Sequence, residues 1–122
     1  MKKLDMYQCG KCGTIVGVMR VGSGVLTCCG ESMNKLVENT SEGAKEKHIP
    51  VFADGKIQVG SVAHPMEADH YIEWIEASDE NFNWYGVEFL EPGQSPEAKF
   101  GEGRANTSRA YCNKHGLWKG KK

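Results

Sequence analysis

The 122-residue chain is 39% hydrophobic and 25% charged with a formal net charge of −1, a globular balance that excludes the strongly basic character of a dedicated nucleic-acid binder. No apolar run approaches ~18 residues, so no membrane-spanning helix is predicted. The N-terminal Met1-Lys2-Lys3-Leu4-Asp5 has no apolar stretch behind its lysines and is not read as a secretory signal. The expected location is therefore the cytoplasm, where thiols stay reduced and clustered cysteines signal metal or catalysis rather than disulfides.

In chain order, the first feature is Cys9-Gly10-Lys11-Cys12-Gly13, followed by Cys28-Cys29-Gly30. A two-residue spacer puts both thiolates on one ion with backbone amides aimed at the sulfurs. Four such thiolates in a short, turn-rich segment bind zinc or iron tetrahedrally. Two neighbouring cysteines on one ion must splay apart, so a distorted tetrahedron is expected. Between the pairs, Thr14 to Val21 is rich in β-branched residues and reads as a strand. Gly22-Ser23-Gly24 turns it, and Val25-Leu26-Thr27 leads back, which predicts a metal-capped hairpin. A segment this small cannot build a real core, and metal binding would supply its folding free energy. The predicted first domain is 1–36, and the polar stretch 37–45 reads as a linker.

The remainder, 46–122, has an apolar pattern of period two. Strand candidates are 56–62, 70–76, 84–90 and 105–112, with His70, Ile72 and Trp74 predicted on one face of the second and Tyr71 and Ile75 on the other. Turn signals at Asp54-Gly55, Pro92-Gly93, Gly101-Glu102-Gly103 and 113–116 fall between or after them. Short strands at this spacing without a convincing amphipathic helix predict an all-β sandwich. The Lys119-Gly120-Lys121-Lys122 end reads as a solvated basic tail.

Four histidines sit at expected loop or strand-end positions of that sandwich: His48, His64, His70 and His115. The fifth cysteine, Cys112, has no evident disulfide partner and lies three residues before His115. Together they form a candidate His4Cys site. Zinc would be four-coordinate and would not use five donors; copper favours fewer. A ferrous ion with one thiolate keeps a net positive charge, suited to a small anionic ligand, and a thiolate pushes electron density toward a bound oxygen species.

These motifs resemble one family along nearly the whole chain. Cys9-x2-Cys12-x15-Cys28-Cys29, Glu46-Lys47-His48-Ile49-Pro50, His64-Pro65-Met66, His70-Tyr71-Ile72-Glu73-Trp74 and Tyr111-Cys112-Asn113-x-His115-Gly116 are similar to the motifs of the desulfoferrodoxins, the two-iron superoxide reductases. The resemblance implies a desulforedoxin-like Fe(Cys)4 domain at 1–36 and an immunoglobulin-like sandwich at 46–122 holding a catalytic iron. It also implies two irons per chain (the first site accepting zinc as well) and a homodimer. The implied reaction is one-electron reduction of superoxide to hydrogen peroxide without oxygen release, with re-reduction by a rubredoxin-type donor. By the same resemblance, Glu46 caps the iron between turnovers, and Lys47 attracts superoxide and helps protonate the product. Neither nucleic acid nor membrane is an expected partner.

Overall fold

The computed structural model describes residues 1–101 and 103–122; Glu102, at the centre of one expected turn, lies outside the described residues. The chain divides into two units, Met1–Val37 and Glu38–Lys122.

The first unit contains β1 (Met6–Gln8), β2 (Ile15–Gly17), β3 (Thr27–Cys28), β4 (Glu31–Ser32) and β5 (Asn34–Lys35). Strand β1 is central, pairing antiparallel with β2 on one side and β5 on the other. Strands β3 and β4 form a separate hairpin. The strand expected across Thr14–Val21 thus shrinks to Ile15–Gly17. It pairs back onto β1, with Gln8 opposite Ile15, because the cysteine turn between them already reverses the chain. Only Leu4, Met6, Cys9 and Val18 are buried apolar residues here.

The second unit is a sandwich, as the alternating pattern predicts. A single helical turn, α1 (Lys45–His48), precedes β6 (Pro50–Ala53), β7 (Lys56–Val59), β8 (Ile72–Ser78), β9 (Tyr85–Phe89), β10 (Glu97–Ala98), β11 (Thr107–Cys112) and β12 (Gly116–Lys121). One sheet has the order β10-β7-β6 and the other β12-β11-β8-β9. Their inner faces share a core of Ile57, Val59, Ile72, Ile75, Ala77, Leu90, Ala98, Ala110 and Cys112.

Three features depart from the sequence expectation. First, β8 starts at Ile72, so His70 precedes the strand rather than opening it. A bulge then breaks the alternation: Cys112 pairs with Ile72, yet its neighbour Tyr111 pairs with Trp74. The extra residue, Glu73, lets Ile72 and Ile75 both join the core cluster while Trp74 stacks on Tyr111 with ring centroids 4.7 Å apart. Second, the C-terminal end is the strand β12, with Leu117 and Trp118 buried. Gly120 lies so close to Pro50 that a Cβ there would run into the Pro50 carbonyl oxygen, so β6 and β12 approach closely. Third, the stretch from 38 to 44 is irregular but belongs to the second unit. The Asn39 amide donates to the Leu117 carbonyl at 3.0 Å, and Asn39 Oδ1 accepts from Lys119 N at 2.8 Å. Its polar composition serves hydrogen bonds rather than packing.

Charge is also buried on this sheet. Arg109 donates to Glu76 Oε1 through Nη2 and Nε, at 2.6 and 2.9 Å, while Trp74 Nε1 donates to Glu76 Oε2 at 2.7 Å. Pairing of this kind is what permits ionic groups so far from water.

Candidate metal centres

The turn between β1 and β2 and the β3–β4 hairpin bring Cys9, Cys12, Cys28 and Cys29 together, with all four sulfurs within 4.8 Å of one another. Backbone amides of Lys11 and Cys12 both donate to Cys9 Sγ at 3.4 Å, the cradle a thiolate needs. Cys12–Cys28 and Cys28–Cys29 sulfur separations are 3.6 and 3.9 Å. A disulfide would need ~2.05 Å, whereas a tetrahedral ion with metal–sulfur bonds of ~2.3 Å sets its sulfurs about 3.8 Å apart. The strain of the adjacent pair sits in the backbone rather than in these sulfur edges: Cys29 adopts φ 53° and Gly30 φ 77°, which turns the two neighbouring side chains onto one point. Without a cation these thiols do not ionise alike. The Thr14 hydroxyl holds Cys12 down at about 6, while the contact with Cys12 pushes Cys28 up to about 12. A bound cation removes that conflict and satisfies all four.

The second group is built at one end of the sandwich. His48 closes α1 just ahead of β6, and His64 and His70 lie between β7 and β8. Cys112 ends β11, and His115 lies in the turn to β12, where Cys112 pairs with Gly116. The five donors lie within 4.8 Å of one another. The imidazoles form a ring of four. His48–His64, His64–His70, His70–His115 and His115–His48 have centroids 4.6, 4.8, 5.1 and 4.8 Å apart, with interplanar angles of 72°, 83°, 70° and 82°. Cys112 Sγ lies 3.8 Å from His115 Nδ1 and is fully buried.

Hydrogen bonds fix which nitrogen faces inward. His48 Nδ1 lies 2.7 Å from the Ala44 carbonyl, and His64 Nδ1 2.7 Å from the Pro65 carbonyl. A carbonyl only accepts, so each Nδ1 carries the proton and each Nε2 presents a lone pair to the centre. Those two Nε2 atoms are 3.1 Å apart, and His115 Nδ1 is 3.1 Å from His48 Nε2. His70 Nε2 is buried with no hydrogen-bond partner, an orphan that a metal would satisfy. The donor set fits iron: five donors including one soft thiolate, one short of six-coordination.

Burial drives His64 down to about 4 and lowers His48 and His70 as well, while it pushes the Cys112 thiol up. His48, His64 and His70 are therefore neutral, ligand-competent bases at pH 7, and Cys112 gives up its proton when a cation arrives. This gives a pH prediction for the metal-free chain. Above the unfolded histidine value of ~6.5, His64 is neutral folded or unfolded. Below it the unfolded chain takes up a proton that the folded chain refuses until about 4. The urea midpoint of the second unit in metal-free protein is expected to fall as pH drops from 6.5 to 4; a flat midpoint over that range would contradict the assignment.

Glu46 and Lys47 ride on α1, two and one residues ahead of His48, with both side chains exposed. Among the described residues neither forms an ion pair. The Glu46 carbonyl accepts from Val62 N at 3.0 Å and Ser61 Oγ at 3.3 Å, which anchors the turn. Two supporting residues have no signal in the sequence. Trp118 stacks on His48 with centroids 4.9 Å apart and donates from Nε1 to the His115 carbonyl at 2.9 Å. Gly43 lies against the same two ligands: a Cβ there would sit 3.1 Å from His48 Cε1 and 3.3 Å from His115 Cγ. Only an unexpected strand and a supposed linker, brought together by folding, expose these roles.

The family description Desulfoferrodoxin matches residues 40–121, and Desulfoferrodoxin, N-terminal domain, matches residues 1–36. The chain belongs to the desulfoferrodoxin family. It is 50% identical over 120 residues to the desulfoferrodoxin of Nitratidesulfovibrio vulgaris, covering 94% of both chains. It is 49% identical over 125 residues to that of Desulfarculus baarsii, covering 97% of this chain and 96% of the relative. Among solved structures, the superoxide reductase of Treponema pallidum aligns with a TM-score of 0.75 and 30% identity over 98% of this chain and all of the other. The two family matches meet near the boundary between the structural units, 37/38, and each contains one of the two donor groups.

Proposed function

We propose that this desulfoferrodoxin is a superoxide reductase, converting superoxide, one electron and two protons to hydrogen peroxide without releasing oxygen. The observation that carries the reading is the ring of four imidazoles, two of them locked by carbonyls in the tautomer that offers Nε2, joined by the buried Cys112 thiol. The likeness to a solved superoxide reductase supports it. His48, His64, His70, His115 and Cys112 would hold a ferrous ion, which when bound supplies the electron and leaves one coordination position for a small anion. Cys9, Cys12, Cys28 and Cys29 would hold a second iron, or zinc.

The chain's own residues do the rest. The carbonyl-anchored rings of His48 and His64 keep their orientation, so little reorganisation accompanies turnover. Lys47, exposed beside His48, attracts the superoxide anion and guides water that protonates the product. The Glu46 carboxylate fills the substrate position between turnovers. Electrons come from a rubredoxin-type donor, and the working form is a cytoplasmic homodimer. Among the described residues no helix is long and apolar enough to cross a membrane.

The test is rapid mixing of anaerobically iron-loaded protein with superoxide, followed by an oxygen electrode and a peroxide assay. One peroxide per superoxide with no oxygen evolved is expected; oxygen release would identify a dismutase instead. Lys47→Ala is expected to slow superoxide capture about tenfold at low ionic strength and to flatten its salt dependence, with iron content unchanged. Equal capture rates at low salt would remove Lys47 from substrate attraction.

A further inference from the structure

The donor set is made in three pieces, His48 on α1, His64 and His70 on the segment between β7 and β8, and Cys112 with His115 at the β11–β12 turn, and one side chain of that turn ties it to the second piece. Asn113 lies between Cys112 and His115. Its Oδ1 accepts from Tyr71 N at 3.0 Å, its Nδ2 donates to the Asp69 carbonyl at 3.1 Å, and its own backbone N donates to the Tyr71 carbonyl at 3.2 Å. Asp69 and Tyr71 are the two neighbours of His70. The amide therefore grips the chain on both sides of one ligand while its backbone belongs to the turn that carries two others.

His70 needs such a grip more than His48 and His64 do. His48 and His64 are each oriented by a ring hydrogen bond to a carbonyl, and His48 is further backed by Trp118. Among the described residues no ring hydrogen bond of this kind orients His70; its Nε2 is buried and unpartnered. Its backbone is held by an isolated bridge to Glu67, with bonds of 3.0 and 3.1 Å, and otherwise by Asn113. The neighbouring strand β8 does not begin until Ile72.

We propose that Asn113 is the positioning residue for His70, registering it against Cys112 and His115 so that the fourth imidazole completes the ring. This rests on the reading of the five residues as a metal site. Both functional groups of the amide are used, acceptor toward Tyr71 and donor toward Asp69, so aspartate keeps one bond and loses the other, and alanine loses both.

The test is a double-mutant cycle on metal affinity. Full-length parent, Asn113→Ala, His70→Ala and the double variant are titrated anaerobically with Fe²⁺ against a chelator, reading the second site through its own optical band. Asn113→Ala is expected to weaken Fe²⁺ binding about 10- to 100-fold in the parent. In the His70→Ala background it is expected to weaken binding less than about twofold, because the ligand it serves is gone. A loss of equal size in both backgrounds, or none in the parent, overturns the proposal. If Asn113→Ala does not fold, the same cycle with Asn113→Asp gives the same two readings. If His70→Ala leaves affinity unchanged, the metal reading of His70 fails first and the proposal falls with it.

Discussion

Cys112→Ser is expected to lower superoxide capture per bound iron by at least about 100-fold, more than loss of any supporting partner costs. The side chain is fully buried at the end of β11, 3.8 Å from His115 Nδ1. It is the one soft donor among five, and burial, helped by the nearby Glu73 carboxylate, holds its thiol above the ordinary cysteine range, so a bound cation is what draws off its proton. A serine hydroxyl is too weak an acid to be deprotonated in its place, and the centre loses its negative ligand. The substitution is nearly isosteric, although an unpaired hydroxyl in the core costs ~1–3 kcal/mol. The sandwich is therefore expected to fold with a lowered unfolding midpoint. Stopped-flow capture rates, normalised to iron bound at this site, check the claim; a rate within threefold of the parent would show that the thiolate is dispensable.

Cys9→Ser is expected to unfold residues 1–37 and to leave residues 38–122 intact. The first unit buries four apolar side chains, Cys9 among them, too few for a chain this short to fold alone. In comparable small sites the metal supplies ~10–16 kcal/mol of apparent binding free energy, and Cys9 is the sulfur that accepts both Lys11 N and Cys12 N. Amide resonances of residues 1–37 should collapse to random-coil positions while those of β6 to β12 stay put. Superoxide capture should change less than about twofold. Persistence of the β1–β2 and β1–β5 pairings without metal would show that the unit holds itself together. Coincident loss of capture would show that the two centres depend on each other.

The donors were legible because their chemistry is: four cysteines with this spacing have few other uses, and Cys112 beside His115 is otherwise unexplained. The sandwich was legible from its alternation. Hidden features come from contacts between segments far apart in the chain. The bulge at Glu73 cannot be seen in β8 alone, since it is defined by what Tyr111 and Cys112 pair with. The last residues of β12 read as a solvated tail from Lys119 onward because lysines and a glycine leave no apolar alternation there. Gly43 and Asn39 looked like linker residues because hydrogen bonding and close approach leave no apolar pattern. Asn113 belongs to a recognisable motif, but its partners lie more than forty residues back, and only folding reveals which ligand it serves.

The two donor groups differ in the span of chain they close. Cys9 to Cys29 is a local set, whereas His48 and His115 are separated by most of the second unit. Loop-closure entropy and contact order therefore set different timetables. During synthesis, which proceeds from the N-terminus, the four thiolates can capture an ion while the sandwich is still unmade. The five-donor centre does not exist until the last hairpin has emerged and docked. Metal delivery to the second centre thus waits until β11 and β12 have folded onto the rest of the sandwich, and delivery to the first is open before that.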